Sequence, residues 1–113
     1  MNFTSVNYRS FYFAFSWCKK ISSIPDFPNI PLAQDCYRGM FDNCVGITKM
    51  PILKSSNAAR DCYMTMFRNT GITELNESDM EFTNYYSGGN AVCGEMFMNC
   101  ASLQKASLAL TSF

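Results

Sequence analysis

Apolar and polar positions along the chain fall into short blocks that superimpose on one another. The pattern Cys-Tyr-x-x-Met-Phe-x-x-Cys fills 36–44, and Cys-Tyr-x-x-Met-Phe-x-x-Thr fills 62–70. Cys-x-x-Met-Phe-x-x-Cys fills 93–100, and a looser copy, Phe-Tyr-Phe-Ala-Phe-Ser-Trp-Cys, precedes them at 11–18. The anchors Phe15, Phe41, Phe67 and Phe97 are spaced by 26, 26 and 30 residues. Each anchor is followed by a second apolar position at Ile21, Ile47, Ile72 or Leu103, and by a third at Ile24, Met50, Leu75 or Ala106. Such a period predicts stacked units, each holding one strand, one return segment and a short helix. The β-branched runs 46–50 and 71–75 read as strands, with further strands near Phe3, Ile21 and Leu103. Pro25 and Pro51 are expected to end strands, because proline cannot donate to a ladder. Residues 32–37 and 58–67 carry good helix formers, enough for one or two turns that packing must stabilise. Asn43, Asn69 and Asn99 recur where a left-handed residue would close the turn. The four anchor phenylalanines are expected to form one internal column, with Met40, Met66 and Met96 filling core beside it.

The run Cys-Tyr-x-x-Met-Phe-x-x-Cys-x-x-Ile-x-x-x-Pro at 36–51 resembles the BspA-like leucine-rich-repeat family, over residues 11 to 110. Thr70 stands where the second Cys of that pattern is expected, and Ser10 where the first copy would have its leading Cys. The resemblance implies an α/β fold: a short right-handed leucine-rich-repeat solenoid with a narrow parallel sheet and short helices. It also implies binding to host proteins, matrix or other surfaces on a microbial cell, without enzymatic activity. The family carries no fixed ligand residues.

A chain of 113 residues with 48% hydrophobic content is read as one repeat domain, 1–113, with repeats at about 1–20, 21–46, 47–71 and 72–113. Nine basic residues balance nine acidic ones, so no net field attracts nucleic acid or an anionic membrane. There is no histidine, which removes the commonest general base and metal ligand. No apolar run is long enough to span a bilayer. Five of the six cysteines fall into two repeat columns, Cys18/Cys44/Cys100 and Cys36/Cys62, and the cysteines read as buried thiols rather than a metal site. The carboxylates are scattered, and Glu77, Asp79 and Glu81 read as a solvated loop. No cofactor and no metal are expected.

Two surfaces are candidates for partner binding. The connection between Ile72 and Phe97 is about five residues longer than its equivalents and carries Phe82, Tyr85, Tyr86 and Asn90 around a Gly88-Gly89 turn. Insertions in repeat arrays map to loops on one face, and tyrosines there make natural anchors. The second surface is the outward row of strand positions: Thr48 and Thr73, with Thr4, Ser22 and Gln104, or the adjacent Ser5, Ser23, Lys49, Glu74 and Lys105. The expected function is a non-catalytic protein- or glycan-binding module of a microbial surface protein, extracellular or on the cell surface. The alternative is a structural or decoration component of a larger assembly such as a phage virion. Neither end carries a polar cap, so stacking of the ends on neighbouring repeats or subunits is expected.

Overall fold

The computed structural model describes residues 3–82, 92–103 and 105–106. Each repeat block becomes a train of overlapping turns. In the first layer (7–18) the even-numbered N–H groups from Ser10 onward donate three residues back: Ser10 to Asn7, Tyr12 to Arg9, Ala14 to Phe11, Ser16 to Phe13 and Cys18 to Phe15. From Arg9 onward every odd-numbered N–H leaves the layer and donates to the next one, so Phe11, Phe13, Phe15 and Trp17 reach the carbonyls of Cys36, Arg38, Met40 and Asp42 at 2.8–2.9 Å. The second layer (33–44) repeats this, with Tyr37, Gly39, Phe41 and Asn43 donating to Cys62, Met64, Met66 and Arg68 at 2.8–3.0 Å. The third (59–70) does the same onto the fourth (92–100), with Thr65, Phe67 and Asn69 donating to Gly94, Met96 and Met98. In the two middle layers nearly every backbone donor and acceptor is thereby used, which is what burial of a backbone segment demands.

An α/β leucine-rich-repeat solenoid with short helices and a narrow parallel sheet is therefore not the fold. Among the described residues there is no α-helix, and one 3₁₀ turn covers Glu77–Asp79. The segments 32–37 and 58–67, expected to be helical, belong to turn trains. A helix of this length consists mostly of ends, and each end leaves four donors or four acceptors without an internal partner. The stacked train uses those groups between layers instead. Its mark is a left-handed residue at every fourth position: Arg9, Phe13 and Trp17; Asp35, Gly39 and Asn43; Asp61, Thr65 and Asn69; Glu95 and Asn99. The asparagines do sit in the left-handed region, as a step inside the train rather than at the end of a helix.

Among the described residues the strands are also fewer and shorter than expected. β1 (Leu53–Ser55) pairs in parallel with β3 (Met80–Phe82), and β2 (Glu74–Leu75) with β4 (Lys105–Ala106). These are two separate two-stranded ladders, with one isolated bridge between Pro31 and Asn57. Of 46–50 and 71–75, only Glu74–Leu75 is strand, and β1 begins after Pro51 instead of ending there. At Gly46 a side chain would lie 2.8 Å from the carbonyls of Lys19 and Ile21, and at Gly71 2.9 Å from that of Val45. Glycine at these equivalent points lets the layers close on one another.

The core runs through the stack. Cys36, Tyr37, Met40, Phe41, Ile47, Leu53, Cys62, Tyr63, Met66, Phe67 and Ile72 are buried. The anchor rings stack face to face: Phe15 on Phe41 at 5.7 Å, Phe41 on Phe67 at 5.7 Å, and Phe67 on Phe97 at 6.0 Å, with planes within 11°. A second column runs from Phe11 through Tyr37 to Tyr63 at 6.0 and 5.8 Å. Ion pairs and amides tie the layers outside the core. Arg68 donates to both carboxylate oxygens of the buried Asp42, at 3.0 and 2.6 Å, and Asn69 Nδ2 donates to Asn43 Oδ1 at 2.9 Å. The Asp42 carboxylate in turn raises the pKa of Arg68.

Candidate functional site

The extended parts of successive layers line a trough. Thr48, Lys49, Thr73, Glu74, Asn76 and Asp79 surround a groove of about 530 Å³ floored by Met50. Lys49 and Met50 also line an adjoining hollow of about 220 Å³ with Ser23, Ile24, Asp26 and Pro51. Ser23 and Ile24 then lead to an apolar hollow of about 190 Å³ walled by Phe15, Ile21, Pro25 and Phe41. The trough thus crosses three repeats, polar at one end and apolar at the other.

The repeat places these residues. Thr48 and Thr73 are equivalent positions, held by a hydrogen bond from Thr73 N to the Thr48 carbonyl at 3.3 Å, and both side chains are exposed. The far wall is fixed by a reciprocal cap on the 3₁₀ turn: Asn76 N donates to Asp79 Oδ2 at 3.0 Å, and Asp79 N to the Asn76 carbonyl at 3.0 Å. The Asp79 carboxylate reaching back to the Asn76 N–H is one half of a capping box, and the second bond is the 3₁₀ turn's own. Asp26 Oδ1 accepts from Ile52 N at 2.9 Å, tying the middle of the trough to the segment that enters β1.

The two surfaces expected from the sequence fare differently. Thr48 and Thr73 line one groove together, as do their neighbours Lys49 and Glu74. Phe82 ends β3 opposite Ser55, so the long connection contributes a strand where a solvated loop was expected. Tyr85, Tyr86 and Asn90 lie outside the described residues, as does the Phe82 side chain. Asn76, Asp79 and Asp26 went unmarked as groove residues, because a turn and a cross-layer bond bring them in rather than the repeat period. A second surface also went unmarked: the exposed rings of Tyr8, Tyr12 and Trp17, with the Arg9 guanidinium 4.9 and 4.5 Å from the centroids of Tyr8 and Tyr12. The four-residue step of Tyr8 and Tyr12 is its sequence signal.

All six cysteines are free, and Cys36 and Cys62 are fully buried. Burial pushes the Cys36 thiol up to about 11 and the Cys93 thiol to about 12, and the Cys62 thiol well above its ordinary value. Such thiols stay protonated and are poor nucleophiles. Cys44 and Cys100 use their sulfurs as donors, to the Phe15 carbonyl at 3.0 Å and the Phe67 carbonyl at 3.1 Å. Thr70, the residue that replaces a cysteine, also donates to the Phe67 carbonyl, at 2.8 Å. No group of three or more Cys, Asp or Glu capable of holding a metal ion occurs among the described residues, and no described helix is long and apolar enough to cross a membrane. No family model, curated protein or solved structure matches this chain. The likeness to BspA-like repeats rests on its motif residues alone.

Proposed function

We propose that this chain is a non-catalytic binding module that takes an extended polar polymer, a glycan or a peptide strand, into the trough over Thr48, Lys49, Thr73 and Glu74. The observation that carries this reading is the trough itself: hydroxyl and charged positions of successive repeats line adjoining hollows that share Lys49 and Met50. Repeat arrays offer such surfaces to long ligands because the ligand and the array advance together. Alternating donors and acceptors on an apolar floor suit a partner with both hydroxyl or amide groups and aliphatic faces. The BspA-like motif adds that the setting is a microbial cell surface.

Glycan and peptide arrays probed with the labelled full chain test the proposal. Binding to a defined ligand should fall at least about tenfold when Thr48→Arg or Thr73→Arg fills the groove, with the melting curve unchanged. Binding that survives both substitutions undiminished would remove the trough from the function.

A further inference from the structure

The two ends of the layer stack are complementary, and we infer that the chain binds a second copy of itself head to tail, with the fourth layer of one molecule docking on the first layer of the next. In the fourth layer, the N–H groups of Glu95, Phe97 and Asn99 reach no acceptor among the described residues. In the first layer, the carbonyls of Tyr12, Ala14 and Ser16 receive no hydrogen bond from a described residue. Both rows step by two residues, as every occupied row in the stack does.

The register between them is already set by the molecule's own interfaces. Phe67 N donates to Met96 O at 3.0 Å, and Phe41 N to Met66 O at 3.0 Å. In each case an anchor phenylalanine donates to the residue before the next anchor. Carried across the junction, Phe97 N–H meets the Ala14 carbonyl of the second copy. Glu95 and Asn99 then meet Tyr12 and Ser16. The Phe97 ring lands on Phe15, extending the column whose internal spacings are 5.7 and 6.0 Å.

The apolar surface supports the same contact. Six large apolar side chains are exposed among the described residues. Tyr8, Tyr12, Phe15 and Trp17 lie in the first layer and Met98 in the fourth, leaving only Val45 elsewhere. Trp17 is 65% exposed, and its equivalents Asn43 and Asn69 already meet as neighbours in their column. A row of donors at one end and of acceptors at the other, neither partnered among the described residues, is a template for edge pairing. A contact between two different surfaces is heterologous, so it propagates into filaments or closes into a ring. The inference does not depend on the polar groove over Thr48 and Thr73, whose lining residues take no part in the junction.

Sedimentation velocity of the full chain over a wide concentration range tests it. A ladder of dimers, trimers and longer species is expected as concentration rises; a monomer throughout overturns the inference. Charge variants test the register, because Trp17 and Asn99 face each other across the junction and both sit at left-handed positions that Asp tolerates. The double variant Trp17→Asp with Asn99→Asp puts like charges together and should weaken association about tenfold or more. Trp17→Lys with Asn99→Asp places opposite charges there and should restore it. Association equal in the two double variants, each folded by circular dichroism, overturns the head-to-tail register even if the wild type assembles.

Discussion

The first and second layers share one backbone, yet their sequences suit it very differently. The second layer places Asp35, Gly39 and Asn43 at its three left-handed positions, the residue types that enter that region most cheaply. The first layer places Arg9, Phe13 and Trp17 there. For such residues the left-handed region costs roughly 1–2 kcal/mol each. Gly39 is specified twice over, since a side chain there would overlap the Phe13 ring that lies against it. The second layer is held from both sides, by donors from the first and carbonyls of the third. Among the described residues the first layer is held from one side only. Its shape is imposed by its neighbour, while the second layer's shape is also written in its own residues. The second layer should then behave as scaffold and the first as the layer that loosens first.

The largest effect separates the two layers at the anchor. Phe41 is 2% exposed between two rings, whereas Phe15 is 38% exposed against one. Phe41→Ala should cost about 3–5 kcal/mol, as deletion of a large ring from a closed core does. Phe15→Ala should cost about 1 kcal/mol or less, since much of its surface is already wet. Urea titration of both variants checks this. Equal costs would mean the first layer is as firmly held as the second.

Raising the pH should loosen the interior layers through their thiols. Cys36 moves from an ordinary 9.0 to about 11 because burial penalises the thiolate. Below pH 9 the thiol is neutral in both states and stability does not depend on it. Between pH 9 and 11 the unfolded chain ionises first and binds fewer protons, so stability falls as pH rises. That window is worth on the order of 2–3 kcal/mol for Cys36, and Cys62 acts in the same direction. Melting temperatures measured at stepped pH, with Cys36→Ala as the control that flattens part of the slope, test it.

The cross-layer ion pair should matter about as much. Asp42→Ala strands Arg68 and removes a bidentate pair. A loss of about 2–3 kcal/mol is expected, below that of a fully buried pair because the Arg68 side chain is 30% exposed. The double variant Asp42→Ala with Arg68→Ala should recover part of the loss; no recovery would show that Asp42 acts through other contacts.

What the sequence made legible follows from which signals have a unique structural meaning. The recurring anchor pointed to a column of stacked rings, and the rings do stack. Thr48 and Thr73 share a column, so their meeting in one groove was readable. The turn trains were not. Burial at 36, 37, 40, 41 and 44 fits both an α-helix and a four-residue turn period, and only the left-handed residues separate the two. In the second layer Asp35, Gly39 and Asn43 announce them, but Phe13, Trp17 and Thr65 give no such sign. β1 was missed because Pro51 was read as ending a strand, whereas Leu53–Ser55 begins past it. Asn76 and Asp79 enter the groove through a local cap that leaves no trace in the repeat period.

The smallest effect tests most directly the claim that the first layer is templated. Trp17 takes φ = 68° at the column position where Asn43 and Asn69 take 62° and 57°. Its ring is mostly in solvent, so little packing is lost on removing it. Trp17→Asn should relieve the left-handed strain, because a short amide enters that region readily. It should also offer its Oδ1 to Asn43, extending the amide pair already formed by Asn69 and Asn43. The expected gain is about 1 kcal/mol, or roughly 4–8 °C in melting temperature for a domain near this size. The melt is best run dilute, so that contacts between copies do not contribute. The gain should be accompanied by slower hydrogen exchange at the Phe13, Phe15 and Trp17-position amides and no change at Phe41. A substitution that left those amides unaffected would show that the first layer already holds its shape as firmly as the second, and the asymmetry between them would be one of composition alone.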